Sequence, residues 1–189
     1  MIKMIQSISL VGQKKVGKTT LALTAPKPLV FFDFEAGMSR VEARFLKDID
    51  KVTHLMMIPA SPLEMKKKPN IALEFWNKIL EEYVKALESK TVKSIVFDTF
   101  TAVWEARRLA YLAELQKIEP SRKNLMPQEY FVPNTDMKQL LVQAKVYNKI
   151  LIVTHHTREA YNTEGKPTGE EEPDGFKYTY ACRVPIKRD

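Results

Sequence analysis

Cysteine is nearly missing from this sequence: Cys182 stands alone among 189 residues. A lone thiol excludes an internal disulfide and most cysteine-based zinc sites, and it suits a reducing compartment, so a cytoplasmic location is expected. Long apolar runs are missing too. The longest covers residues 109–113, far short of the about 20 residues a membrane-spanning helix needs. No charged-then-apolar leader opens the chain, so neither a secretory signal nor a membrane partner is expected. Internal repeats and low-complexity linkers are also lacking, which points to one domain over residues 1–189.

What is present is an ordinary globular composition, 44% hydrophobic and 28% charged, rather than a disordered one. A chain of this length buries roughly 70% of its unfolded surface, enough for one core. Thirty Lys and Arg against 23 Asp and Glu leave a formal charge of +7. The first ninety residues hold 15 basic and 10 acidic side chains and the remainder 15 and 13, so no basic tail carries the excess. That balance permits a nucleic-acid partner without requiring one.

Hydrophobic patterning organises the chain as alternating strands and helices. Strands are predicted at residues 5–11, 29–32, 52–58, 94–98 and 150–154. Helices are predicted at 18–25, 39–46, 70–90, 101–118 and 135–147, the third being the clearest, with Asn70 as its N-cap and apolar residues at helical spacing. Residues 157–177 are polar and Gly/Pro-bearing, a β-hairpin or flexible loop, and 176–186 read as two short strands. Such alternation implies an α/β fold: three layers, with a mainly parallel sheet and helices on both faces. Ligands of such sheets sit at the carboxyl ends of the strands. The residues there are Gly12 to Thr19, Asp33 to Glu35, Asp98 with Thr99, and His155 with His156.

Gly12-Gln13-Lys14-Lys15-Val16-Gly17-Lys18-Thr19 fits G-x-x-x-x-G-K-[ST] between a predicted strand and a predicted helix. Backbone N–H groups of this loop, continuing into Thr20, converge on phosphate oxygens. Lys18 reaches the β- and γ-phosphates as a point charge, and the Thr19 hydroxyl ligates Mg²⁺. ATP and Mg²⁺ are therefore the expected cofactors. Lys15 is either a second cation near the phosphates or a solvated side chain.

A metal-holding carboxylate is expected from a neighbouring strand, and Lys93-Ser94-Ile95-Val96-Phe97-Asp98 supplies Asp98. The competing reading makes Asp98 a cap for the helix that follows. Thr99 comes next, so no Glu adjoins Asp98 to polarise water. Glu35, at the end of the strand Leu29-Val30-Phe31-Phe32-Asp33-Phe34, is the candidate base, with a solvated loop acid as the competing reading. Strand alternation would point Asp33 the same way, to assist or compete. A zinc site at His155-His156 is rejected, because adjacent strand residues face opposite ways and no further ligand cluster is evident.

In order and spacing, the Gly12–Thr19 loop, Phe31-Phe32-Asp33-Phe34-Glu35, Ile95-Val96-Phe97-Asp98 and Ile152-Val153-Thr154-His155-His156 resemble the RecA-like P-loop ATPases. They are most similar to the bacteriophage members that bind ATP and act in recombination or single-strand annealing. The resemblance implies Glu35 as catalytic base, Asp98 as metal carboxylate, and His156 as γ-phosphate sensor, with His155 the near alternative. It further implies a homo-oligomer, ring or filament. Lys187 and Arg188 lie in a basic terminal segment like the one that supplies trans-acting cations in RecA. Single-stranded DNA is the implied partner, met by loops of the core. Lys117, Arg122 and Lys123 near Tyr130 and Phe131 are candidate contacts, as is Arg158 in the second loop. The aromatics could equally pack on the core, and Lys66-Lys67-Lys68 reads most simply as a solvated loop.

Two functions from different classes follow. One is an ATPase acting on single-stranded DNA in phage-type recombination or replication. The other is a nucleotide-switched assembly or loading factor with slow hydrolysis and no direct DNA dependence. A small-molecule kinase is disfavoured by a lid region with a single Arg, and a GTPase by the lack of Asp after Asn148-Lys149.

Overall fold

A computed structural model describes residues 7–41, 46–61, 64, 68, 70–162, 166–174 and 182–186. Eight strands are present among them: β1 Ser7–Val11, β2 Leu29–Asp33, β3 Val52–Met56, β4 Ser94–Asp98, β5 Ile150–His155, β6 Thr157–Tyr161, β7 Pro167–Pro173 and β8 Cys182–Pro185. The α-helices are α1 Lys18–Ala22, α2 Asn70–Glu88, α3 Phe100–Gln116 and α4 Phe131–Val146.

Six strands form one sheet in the order β3-β2-β4-β5-β1-β8, and every pairing in it is parallel. β6 and β7 form a separate antiparallel hairpin. The sheet is parallel because its strands are buried on both sides. All five residues of β2 and of β4 are buried, and successive side chains enter different cores. Val30, Phe32, Ile95, Phe97, Leu151 and Val153 pack beneath α2, α3 and α4. Leu29, Phe31, Val96 and Ile152 face the other way, onto Leu23, Ala25 and Met38 beside α1. Each large apolar side chain so buried contributes about 1.5–3 kcal/mol.

Three predicted elements change shape. The helix expected over 39–46 is, where described, a 3₁₀ turn at Met38–Arg40 and the first residue of a 3₁₀ segment, Leu46–Lys51. The Asp33 carboxylate takes the N–H groups of Gly37 and Met38 and fixes a tight turn there. α4 starts at Phe131 rather than 135, because Pro133 falls in the first turn, where its missing N–H has no helical role. α1 stops at Ala22, and bonds from Thr24 N to Leu21 O and from Ala25 N to Ala22 O tighten the chain into a turn.

Register brings the strand ends together. Val11 lies opposite His155 and Pro185, and Asp33 lies opposite Asp98 and Met56. All the strand-end residues singled out above therefore meet on one edge of the sheet.

Candidate active site

Two glycines shape the loop after β1 for different reasons. A Cβ on Gly12 would sit 2.3 Å from the Ile186 carbonyl oxygen. That carbonyl is held close because Ile186 N donates to Val11 O at 2.7 Å. Gly17 has open space around it but a φ of 99°, a left-handed conformation that glycine adopts without cost. Between them Gln13, Lys14 and Lys15 are exposed and Val16 is half-buried. Lys14, Lys15, Gly17, Lys18, Thr19 and Thr20 line a cavity of about 260 Å³ with Glu35, Gly37, Arg40, Val41, Asp98, Thr99 and His156.

Lys18 is buried, and its ammonium donates to the carbonyls of Gly12 at 2.8 Å and Gln13 at 2.6 Å. An ammonium has three N–H donors, so one remains for a phosphate oxygen. Burial lowers the Lys18 pKa, and the charges of Asp98 and Glu35 oppose that shift. The Thr19 hydroxyl donates to Asp98 Oδ2 at 2.6 Å, and the Thr154 hydroxyl donates to Oδ1. Burial raises the Asp98 pKa against these two bonds, with Asp33 and Glu35 pushing the same way as burial. A hydroxyl and a carboxylate in contact form an all-oxygen donor pair, the chemistry of a hard cation such as Mg²⁺. The cap of α3 is Thr99, whose side chain accepts from Ala102 N at 3.3 Å; Asp98 is thereby left to face Thr19.

β2 ends at Asp33, so strand alternation does not carry on to Glu35. The two carboxylates part company: Asp33 is fully buried against loop backbone, whereas Glu35 is exposed and lines the cavity. His156 Nε2 lies 2.7 Å from Glu35 Oε1. That hydrogen bond, more than the charges of Lys14 and Lys18, holds the Glu35 carboxyl below the usual range against the opposing effect of burial. His155 points into the core, edge-on to Phe100 at 5.8 Å and with no exposure. Of the two histidines, His156 is the one that faces the cavity.

Sequence reasoning missed three participants. Thr154 is overshadowed by the two histidines beside it, Gly37 carries no motif, and Arg40 is one arginine in a predicted helix. Among the described residues Arg107, Arg108, Arg122 and Arg158 are each engaged by carboxylates, whereas Arg40 turns to the cavity.

The proposed DNA contacts are scattered. Trp104 stacks on Tyr130 at 6.2 Å and its Nε1 donates to Asn134 Oδ1 at 3.0 Å. These contacts put the start of α4 beside the first turns of α3. Lys117 follows the far end of α3, about 25 Å along the helix at 1.5 Å per residue. Arg122 donates to both Glu129 oxygens at 2.6 Å, and Arg158 pairs with Glu172 and Asp174. Lys123 and Phe131 are exposed. Lys187, Arg188, Lys66 and Lys67 lie outside the described residues. Arg158 also borders a second cavity of about 570 Å³, which shares Lys14 and His156 with the first. Among the described residues no cluster of three or more His, Cys, Asp or Glu is placed to hold a metal, and no helix is long and apolar enough to cross a membrane.

A family model described as an AAA domain matches residues 5–180. No curated protein matches the chain. The match spans the whole constellation, from the loop after β1 to the strand that ends in His155. This chain belongs to the AAA domain family of P-loop ATPases.

Proposed function

We propose that the protein binds ATP with Mg²⁺ in the 260 Å³ cavity and hydrolyses it, using Glu35 as base. One observation carries this reading: Lys18, the Thr19–Asp98 pair and the Glu35–His156 pair all line one cavity. Lys18 and the loop N–H groups would hold the phosphates, and Thr19 and Asp98 would hold the metal. Bound there, Mg²⁺ neutralises charge that develops on the transferring phosphoryl group. Glu35, ionised at neutral pH, orients a water and accepts its proton, which contributes typically 10²–10⁴-fold in rate. His156 holds the Glu35 carboxylate in place and stands beside it as the γ-phosphate sensor.

The base lies two residues past the end of β2, the strand beside the β4 that carries Asp98, rather than adjacent to Asp98 in sequence. This arrangement supports the RecA-like reading of the ATPase site; single-stranded DNA as partner and a homo-oligomer as the working form, of the phage recombination kind, would come with that reading. DNA would cross the carboxyl edge of the sheet. There the hairpin is tied to α3 through Thr101 Oγ1, which donates to Asp174 O at 3.0 Å, and Phe131 is 72% exposed. An exposed aromatic ring suits an unpaired base. The engagement of Arg122 and Arg158 by carboxylates favours a second reading, a nucleotide-switched loading factor that hydrolyses slowly and is indifferent to DNA.

ATP turnover measured against protein concentration, with and without single-stranded DNA, separates the two, with Lys18→Ala as the inactive control. Stimulation by DNA supports the first reading. Measurable turnover that ignores DNA supports the second.

A further inference from the structure

We propose that Asp33 is a positioning residue for the Glu35 base, an inference that rests on the ATPase reading above. Asp33 ends β2 directly opposite Asp98 and has no solvent exposure. Burying a carboxylate there is costly unless its oxygens are satisfied. They are. Oδ1 accepts the N–H groups of Glu35 at 3.2 Å and Gly37 at 2.9 Å. Oδ2 accepts the N–H of Met38 at 3.0 Å and lies 3.1 Å from His54 Nε2.

Three backbone donors within four residues converge on one side chain, so the path of the segment is dictated by Asp33. Ala36, inside that segment, has a φ of 52°, a left-handed conformation that is strained for an alanine and persists only where its surroundings fix it. The consequence is felt on the cavity wall. Glu35 reaches His156, Arg40 turns to the cavity, and a Cβ on Gly37 would lie 3.5 Å from both Asp98 Oδ2 and Thr19 Oγ1. Asp33 touches none of the reacting groups itself. It acts through the loop it holds.

The neighbouring strand ends make the anchor rigid. Phe34 N donates to Asp98 O at 2.8 Å and Met57 N donates to Asp33 O at 2.8 Å, so the loop leaves from a fixed point between β3 and β4. An amide in place of the carboxylate keeps the shape but turns an NH₂ toward donors on one side, and those contacts then repel.

Asp33→Asn tests the assignment through two separate readouts. Displacing a base by the order of 1 Å costs about 10²-fold, so kcat falls by about that factor while the Kd for Mg²⁺–ADP stays within about threefold. In the ¹⁵N NMR spectrum of the protein, the His156 imidazole signals move to the positions they take in Glu35→Ala, because the contact with Glu35 is lost in both. If Asp33→Asn fails to fold, Asp33→Glu, which keeps the charge but lengthens the anchor, undergoes the same two measurements. Wild-type kcat in the folded variant overturns the proposal, as does loss of Mg²⁺–ADP binding alongside turnover. Unchanged His156 signals overturn it too. A wild-type protein that never turns over ATP defeats the ATPase reading instead, and the His156 spectra still decide whether Asp33 places Glu35.

Discussion

His156 Nε2 sits 2.7 Å from Glu35 Oε1, which joins two residues 121 positions apart at the mouth of the cavity. The hydrogen bond favours the ionised carboxylate, so the Glu35 pKa is depressed. A depressed carboxyl contributes stability above its ordinary pKa of about 4.3, and that contribution is lost as pH falls through the lower folded value. Glu35 is half-exposed, so the stability effect is small, and catalysis is the better gauge. The acid limb of the kcat–pH profile should fall below about 4.3 in the wild type and move up in His156→Ala. An unmoved limb would separate the pair functionally.

Asp98 shows the opposite sign. Burial raises its pKa, so folding favours the protonated form and ionisation at neutral pH works against stability. Asp98→Asn should therefore melt higher than wild type without nucleotide at pH 7. The same variant should lose most of the stabilisation that Mg²⁺–ADP gives the wild type by mass action. Thermal melts with and without Mg²⁺–ADP check both halves.

Gly12 and Gly17 should respond differently to alanine. At Gly12 the new Cβ meets the Ile186 carbonyl, and overpacking of that kind costs about 2 kcal/mol. At Gly17 nothing is struck and the cost is the left-handed backbone, roughly 1 kcal/mol. Urea denaturation of the two variants gives the ranking.

Arg122 is paired on both Glu129 oxygens, and the two side chains are only 12% and 19% exposed. A double-mutant cycle between Arg122→Ala and Glu129→Ala should return a coupling of about 1 kcal/mol. If single-stranded DNA binds, Arg122→Ala should change the salt slope of its affinity by less than about 0.3, because a lost phosphate contact on a single strand is worth about 0.7. A loss of about 0.7 would make Arg122 a DNA ligand.

The parts of this site readable in the sequence are those that local backbone dictates. The glycine and lysine spacing of the loop and the apolar strand ending in Asp98 are both of that kind. The Glu35–His156 pairing was not readable, because it depends on β2, β4 and β5 lying in that order with their ends in register. Alternation points Asp33 the same way as Glu35, to assist or compete, but alternation describes a strand and the strand stops at Asp33. The turn it caps depends on that carboxylate taking the Gly37 and Met38 N–H groups, which no local pattern announces. Pro133 looked like a break although it occupies a first helical turn. Arg122 looked like a nucleic-acid contact because a sequence displays charges without showing that Glu129 takes them up.

The central claim is that Glu35 performs the hydrolysis in a cavity built to hold Mg²⁺–ATP. Single-turnover hydrolysis by Glu35→Gln, set beside its Kd for Mg²⁺–ATP, tests it most directly. The expected result is a Kd within about threefold of wild type and a rate lower by at least about 10²-fold. Hydrolysis at the wild-type rate by a variant that still binds ATP would contradict it.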